Sequence, residues 1–250
     1  MGRCYRRLVV PRILPKCRKI ITVSHFECNR IRETLHLPEN KIMAIYNGFS
    51  NHFQPLDNIE TVTQKYIPVT DYLFFLGNTD PKKNTPRTLK AYYSYLQQSN
   101  EKRPLLIADL KPEFVDEMLK ETGLENIRPY LYLPGYIPNT DLPFIYNGAF
   151  AFLYTSLRES FGIPLLEAMA CGIPVITSDT SSMPEIGGEG AILTDPTDER
   201  SIAAQLLLLE QDKEYYQKQS AYGLGRAKCF SWEQTARELL KLYQSTVKSK

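Results

Sequence analysis

Long apolar runs are missing from this 250-residue chain, and no stretch approaches the ~20 residues that a helical membrane span needs. The five cysteines (Cys4, Cys17, Cys28, Cys171 and Cys229) are odd in number and never fall in C-x-x-C spacing, so neither a disulfide framework nor a zinc ribbon is implied. Scattered thiols of this kind fit a reducing cytoplasm. The three histidines, His25, His36 and His52, stand at no metal-ligand spacing from acids or cysteines, and no metal is expected. No G-x-G-x-x-G follows an apolar run, which argues against a dinucleotide-dependent oxidoreductase. No G-x-x-x-x-G-K-[ST] occurs, which argues against a P-loop NTPase. Internal repeats and low-complexity tracts are absent too. The net charge of +2 is too balanced to suggest a nucleic-acid binder. With 43% hydrophobic and 23% charged residues, the composition is that of a globular protein with one large or two small domains.

The most informative stretch runs from Tyr154 to Gly172. The apolar run Ala149–Leu153 predicts a short buried strand, followed by a polar loop and a helix. Gly162 falls at the N-cap position and Pro164 in the first turn, where a missing N–H costs little. Leu165, Leu166, Ala168, Met169 and Ala170 favour helix, and Gly172 followed by Pro174 closes it. A strand–loop–helix unit of this kind turns backbone N–H groups and the positive end of a helix dipole toward a ligand, most often phosphate. Glu159 in the loop and Glu167 one turn into the helix bracket this anion site. Carboxylates accept hydrogen bonds from vicinal hydroxyls, so phosphate and hydroxyls together describe a sugar nucleotide. Spacing alone leaves open that both are solvated helix-surface residues.

Apolar segments alternate with helical ones from Tyr72 onward. Strands are expected at Tyr72–Gly77, Pro104–Ala108, Ile127–Leu133, Ala149–Tyr154, Pro174–Ser178 and Ala191–Leu193. Helices are expected at Thr85–Gln98, Pro112–Glu121 and Asp141–Tyr146, then at Glu199–Leu209, Lys213–Lys228 and Trp232–Val247. The pattern predicts an α/β fold, a Rossmann-like parallel sheet flanked by helices, with ligands beyond the strand carboxyl ends. The loops to inspect follow Leu76, Leu133, Tyr154 and Ser178. In the first of them, Lys82 and Lys83 could neutralise a diphosphate or stand as a solvated pair.

Before Glu27 the chain carries Arg3, Arg6, Arg7, Arg12, Lys16, Arg18 and Lys19 and no acid. A patch that touches anionic lipid and an exposed helix end with its connector are both open readings, the second favoured. A short strand follows at Lys19–Ser24. Ser24 then N-caps a helix to about Leu35, with Glu27 at the capping-box position.

The string Glu159-Ser-Phe-Gly-Ile-Pro-Leu-Leu-Glu-Ala-Met-Ala-Cys-Gly-Ile-Pro-Val-Ile-Thr-Ser178, with its E-x7-E spacing, resembles the signature of retaining GT-B-fold glycosyltransferases of the GT4 type. Residues 20 to 245 fit that resemblance. It implies transfer of a hexose (mannose-like or glucose-like), with retention, from a nucleotide-diphosphate sugar to a glycan or lipid-linked acceptor, without a metal or other cofactor. It implies Glu159 and Lys83 as catalytic groups, Glu159 on sugar hydroxyls and Glu167 on the ribose. Lys82, Lys83 and Asn78 stand where the family holds the diphosphate, although Lys82 and Asn78 occupy positions where members carry Arg. Backbone near Tyr136 and Ile137 would meet the base, and Ser160, Phe161, Gly162 and Ile163 the phosphate and sugar. The domains expected are 1–25, a remnant of the acceptor-side domain; 26–230, the donor-binding domain; and 231–250, a crossing helix. Almost all of the acceptor-side domain is absent on this reading. The apolar stripe Trp232, Ala236, Leu239, Leu240 and Tyr243 should then be exposed or buried in an oligomer. The expected setting is cytoplasmic, with peripheral contact at the inner membrane face left open, as are self-association and a partner acceptor domain; no nucleic acid is expected. A non-catalytic nucleotide-sugar-binding subunit is the second reading.

Overall fold

The computed structural model describes residues 8–248; Arg3, Cys4, Arg6 and Arg7 lie outside the described residues. The chain divides into two units. One joins the stretch up to Gly48 to the stretch from Phe230, and the other is Phe49–Cys229. The division therefore falls after Gly48 rather than near residue 25.

The smaller unit opens on the helical turn Val10–Ile13 and the 3-10 turn Leu14–Lys16. Arg12, Lys16, Arg18 and Lys19 are exposed on this helix end and connector. Strands β1 (Ile20–Thr22) and β2 (Ile42–Ala44) then pair in parallel across helix α1 (His25–Leu35). Ser24 caps α1, its hydroxyl accepting from the Glu27 N–H at 3.2 Å. β2 carries too short an apolar pattern to be read from the sequence. Ile21 and Met43 are partners in the ladder and both stay exposed.

The larger unit holds one six-stranded, all-parallel sheet. Its strands are β3 (Tyr72–Leu76), β4 (Leu105–Ala108), β5 (Leu131–Gly135), β6 (Ala149–Tyr154), β7 (Val175–Ser178) and β8 (Ile192–Thr194), in the spatial order β5-β4-β3-β6-β7-β8. The helices between them are α2 (Thr85–Gln98), α3 (Pro112–Thr122), α4 (Leu142–Gly148), α5 (Ile163–Ala170) and α6 (Met183–Gly187), and α7 (Glu199–Gln211) and α8 (Lys213–Ala227) follow β8. Every residue of β6 is buried, as expected for a central parallel strand covered on both faces. Tyr146 and Phe74 pack edge-on with ring centroids 5.2 Å apart, and Phe152 lies against both.

The strand expected at Ile127–Leu133 is displaced. Residues Glu125–Tyr130 form a 3-10 turn that contains Pro129, and the strand runs from Leu131 instead. Pro129 cannot donate to a ladder. Pro134 is tolerated because β5 is the edge of the sheet.

The chain winds outward from β3 through β4 to β5, then returns to the other side of β3 to lay down β6. The sheet therefore reverses direction between β3 and β6. At such a reversal the two following loops diverge and leave a crevice beyond the strand ends.

The last helix, α9 (Trp232–Lys248), belongs to the smaller unit, where the Thr235 hydroxyl donates to the Tyr46 carbonyl at 2.6 Å. Gly48 must be glycine, because a Cβ there would lie 2.1 Å from the Trp232 nitrogen. Trp232, Ala236, Leu240 and Tyr243 are exposed, so the predicted apolar stripe faces outward along most of its length, with Leu239 half-buried. Among the described residues, no helix is long and apolar enough to cross a membrane.

Candidate functional site

The crevice between β3 and β6 is where Lys83, Glu159 and the start of α5 meet. The loop after β3 closes with the 3-10 turn Pro81–Lys83, and the loop after β6 carries Glu159 into α5. The Leu157 N–H donates to the Lys82 carbonyl at 2.7 Å and locks one loop to the other. The Lys83 ammonium consequently reaches Glu159 Oε1 at 2.6 Å, with the two side chains only 22% and 15% exposed. The same ammonium stands 5.2 Å over the Tyr154 ring. Tyr154 hydrogen-bonds Glu159 and also feels the charge of Glu167. Burial, then these charges, hold its phenol well above its usual range.

Lys82 takes a different course. It is 52% exposed and reaches Asp80 at 3.4 Å. Adjacent residues of a 3-10 turn point about 120° apart, so only one of the two lysines can face the crevice. The Asn78 side chain is also occupied, accepting from the Asp80 N–H at 2.8 Å within its own loop. Tyr136 and Ile137 follow the edge strand β5, two strands and about 10 Å from β3. There the Tyr136 side chain is 75% exposed and that of Ile137 is 2% exposed.

Helix α5 starts as its sequence dictates. Gly162 takes φ 102°, ψ 56° at the N-cap and Pro164 sits in the first turn. Phe161 is buried, Ser160 is exposed at the rim and Ile163 is half-buried. An added Cβ at Gly162 would lie 2.6 Å from the Met183 methyl, in a backbone region that side chains rarely adopt. Gly162→Ala is expected to destabilise the larger unit by about 1–3 kcal/mol, which urea denaturation measures. An unchanged midpoint would show that the turn tolerates another conformation.

Glu167, one turn into α5, faces α4. The Tyr146 hydroxyl lies 3.4 Å from Oε2, and burial lifts the carboxyl to about 7 in spite of that contact. The carboxyl is therefore poised to change charge near neutrality.

Two groups that fix this site gave no usable signal in the sequence. Asn84 is buried in a left-handed conformation, φ 61°. Its amide donates to the Thr155 carbonyl at 3.0 Å and to the Pro196 carbonyl at 2.7 Å, tying three loops together beside Lys83. The segment from β7 into α6 supplies hydroxyls to the Glu159 loop. Ser178 donates to the Ser156 carbonyl at 2.6 Å and Thr180 to the Leu157 carbonyl at 3.3 Å, while Ser181 accepts from the Glu159 N–H at 3.1 Å. Ser182 donates to the carbonyls of Glu159 and Phe161 at 3.0 and 3.3 Å.

Cavities elsewhere on the unit, such as one of about 350 Å³ lined by Tyr93, Gln97 and Arg200, contain none of these residues. Among the described residues, no three His, Cys, Asp or Glu side chains are grouped so as to hold a metal ion. Among the described residues the crevice brings together the Lys83 ammonium, a helix N-terminus, the carboxylates of Glu159 and Glu167 and the Tyr154 phenol.

Comparison with known proteins gives the chain its family. Residues 64–226 match the family described as "Glycosyl transferases group 1". The O-antigen chain mannosyltransferase B of Escherichia coli is 32% identical over 235 residues, which is 92% of this chain and 61% of that protein. The chain thus spans about three-fifths of the length of that relative. Among solved structures, Anabaena HepE in complex with UDP and glucose superposes with a TM-score of 0.81 at 16% identity, over 95% of this chain and 66% of that one. The C-terminal domain of a Francisella tularensis glycosyl transferase group 1 family protein (LpcC) superposes with a TM-score of 0.60 at 24% identity, over 72% of this chain and 96% of that one. With the signature string at the sheet reversal and the family match over most of its length, this chain belongs to the group 1 glycosyl transferases.

Proposed function

We propose that this chain is the donor-binding half of a retaining hexosyltransferase that takes mannose or glucose from a nucleoside diphosphate sugar for a glycan or lipid-linked acceptor. The observation that carries the reading is the Lys83–Glu159 ion pair beside the start of α5. The mannosyltransferase name of the Escherichia coli relative supports the sugar, and the UDP and glucose in the Anabaena structure support the donor class.

Donor binding exchanges partners at this pair. The diphosphate draws the Lys83 ammonium, and Glu159, released, accepts hydroxyls of the sugar. Glu167 accepts the ribose hydroxyls. In the transfer step the bond from the sugar's anomeric carbon to the diphosphate oxygen breaks, and the electron pair leaves with the diphosphate. The acceptor oxygen forms the new bond on the same face and passes its proton to the departing diphosphate oxygen. Lys83 and the α5 N-terminus meet the charge that develops on the leaving group, which is electrostatic stabilisation by groups already in place. No metal is assigned to this step, so EDTA should leave turnover unchanged.

Thermal unfolding with UDP, GDP and NAD tests the donor class. A nucleoside diphosphate at about 100 times its Kd should add roughly 2.7 kcal/mol to stability, and NAD nothing. No shift with UDP, GDP or their sugar derivatives would sink the proposal. Donor binding without transfer to any acceptor would favour a binding subunit, and the anomeric configuration of a product, read by NMR, decides retention.

A further inference from the structure

Among the side chains that hold the Glu159 loop, Ser182 bonds it at two points. Ser182 is fully buried at the entrance to α6. Its single hydroxyl stands within hydrogen-bond reach of two carbonyls on the loop, Glu159 at 3.0 Å and Phe161 at 3.3 Å. No peptide bond here is cis. In a trans peptide, the N–H of the following residue points opposite to the C=O. Drawing the Glu159 and Phe161 carbonyls down toward Ser182 therefore turns the amides that follow them away from Ser182, and the second of these belongs to Gly162 at the start of α5. The neighbouring Met183 fills the space under Gly162, so the turn cannot easily roll over.

We infer that Ser182 is a positioning residue for the turn that opens α5: by holding the Glu159 and Phe161 carbonyls on the buried side, it aims the Gly162 amide at the donor's diphosphate. This rests on the donor reading above. The deduction concerns backbone direction, so its effect should fall on the phosphate part of the ligand and spare the nucleoside. A residue that merely filled space would loosen the whole domain and weaken both parts together.

The test compares calorimetric titrations of the 250-residue chain and its Ser182→Ala variant with uridine, guanosine, UDP and GDP. Ser182→Ala should weaken the better diphosphate by roughly tenfold and change the affinity of its nucleoside by less than about twofold. Equal diphosphate affinity in the two proteins overturns the inference, as does a parallel loss for nucleoside and diphosphate. Ser182→Cys, close in volume and a weaker donor, should show the same selective loss in smaller degree. It serves if the alanine variant does not fold, and unchanged diphosphate affinity in it overturns the inference equally. A parent chain that binds neither diphosphate is a different result, which refutes the donor reading itself.

Discussion

Lys83→Ala should weaken nucleoside diphosphate binding by roughly 10–100-fold, the 1.5–3 kcal/mol of a charged hydrogen bond. It should lower the transfer rate by about 10²–10³, the scale of losing one preorganised charge-stabilising group. Lys82→Ala, one residue away, should change either quantity by less than about threefold, because its ammonium is solvated and turned to Asp80. The contrast follows from geometry, since only Lys83 lies against Glu159 and over Tyr154. Removing Lys83 also strands a half-buried carboxylate, so some stability goes with it. Glu159→Gln separates the two effects. It frees Lys83 from its partner, and so should bind the bare diphosphate at least as well as the parent while losing the contribution of the sugar. Titration with a diphosphate and with the matching diphosphate sugar reads both. Equal losses for Lys82→Ala and Lys83→Ala would mean that the cationic role is shared and that the orientation of the turn does not matter.

Nucleotide affinity should rise with pH between about 6 and 8, because Glu167 accepts ribose hydroxyls best as a carboxylate and titrates at about 7. Stability of the unliganded protein should move the other way. The folded carboxyl holds its proton up to about 7, whereas an unfolded glutamate releases it near its ordinary value of 4.5. Below 4.5 both states are protonated and no penalty exists. As pH rises from 4.5 to 7 the unfolded state gains, and above 7 the full penalty remains. Glu167→Gln removes this group from the titration. The variant should match the parent near pH 4.5 and exceed it by on the order of 2–3 kcal/mol at pH 8, while its nucleotide affinity is flat with pH and roughly tenfold lower at pH 8. Thermal melts across pH and titrations at pH 6 and 8 measure the two halves. A parent affinity that does not change over that interval takes Glu167 away from the ribose.

The parts of the site that could be read from the sequence are those governed by local rules. Gly162, Pro164 and the run of helix formers after them specify α5 within a few residues, and the apolar runs of β3, β4, β6 and β7 stand out against polar neighbours. The site's internal wiring could not be read that way. Lys82 and Lys83 are equivalent as letters, and only the 3-10 turn at Pro81–Lys83 separates them. Asn78 occupies a family cation position but spends its side chain on its own loop. The hydroxyls of Ser178, Thr180 and Ser182 look like ordinary loop polarity until β7 is known to lie beside β6, because the carbonyls they serve are more than twenty residues away along the chain. The shift of β5 has the same origin: Pro129 ends one pattern locally, while Pro134 is admitted only because that strand has a free side.

The smaller unit is discontinuous, and that sets a timetable for synthesis. Its strands and first helix are complete by Gly48, yet the helix that closes against Tyr46 and Gly48 begins only at Trp232. At roughly 5–20 residues per second, the ribosome needs on the order of 10–40 s to cover the interval. The larger unit is fully translated by Cys229, so it can condense while the early segment still waits. For that period Ile21 and Met43, exposed even in the finished protein, lie on a two-stranded ribbon with both edges unpaired among the described residues. An unpaired edge of this kind is a template on which another chain can add a strand.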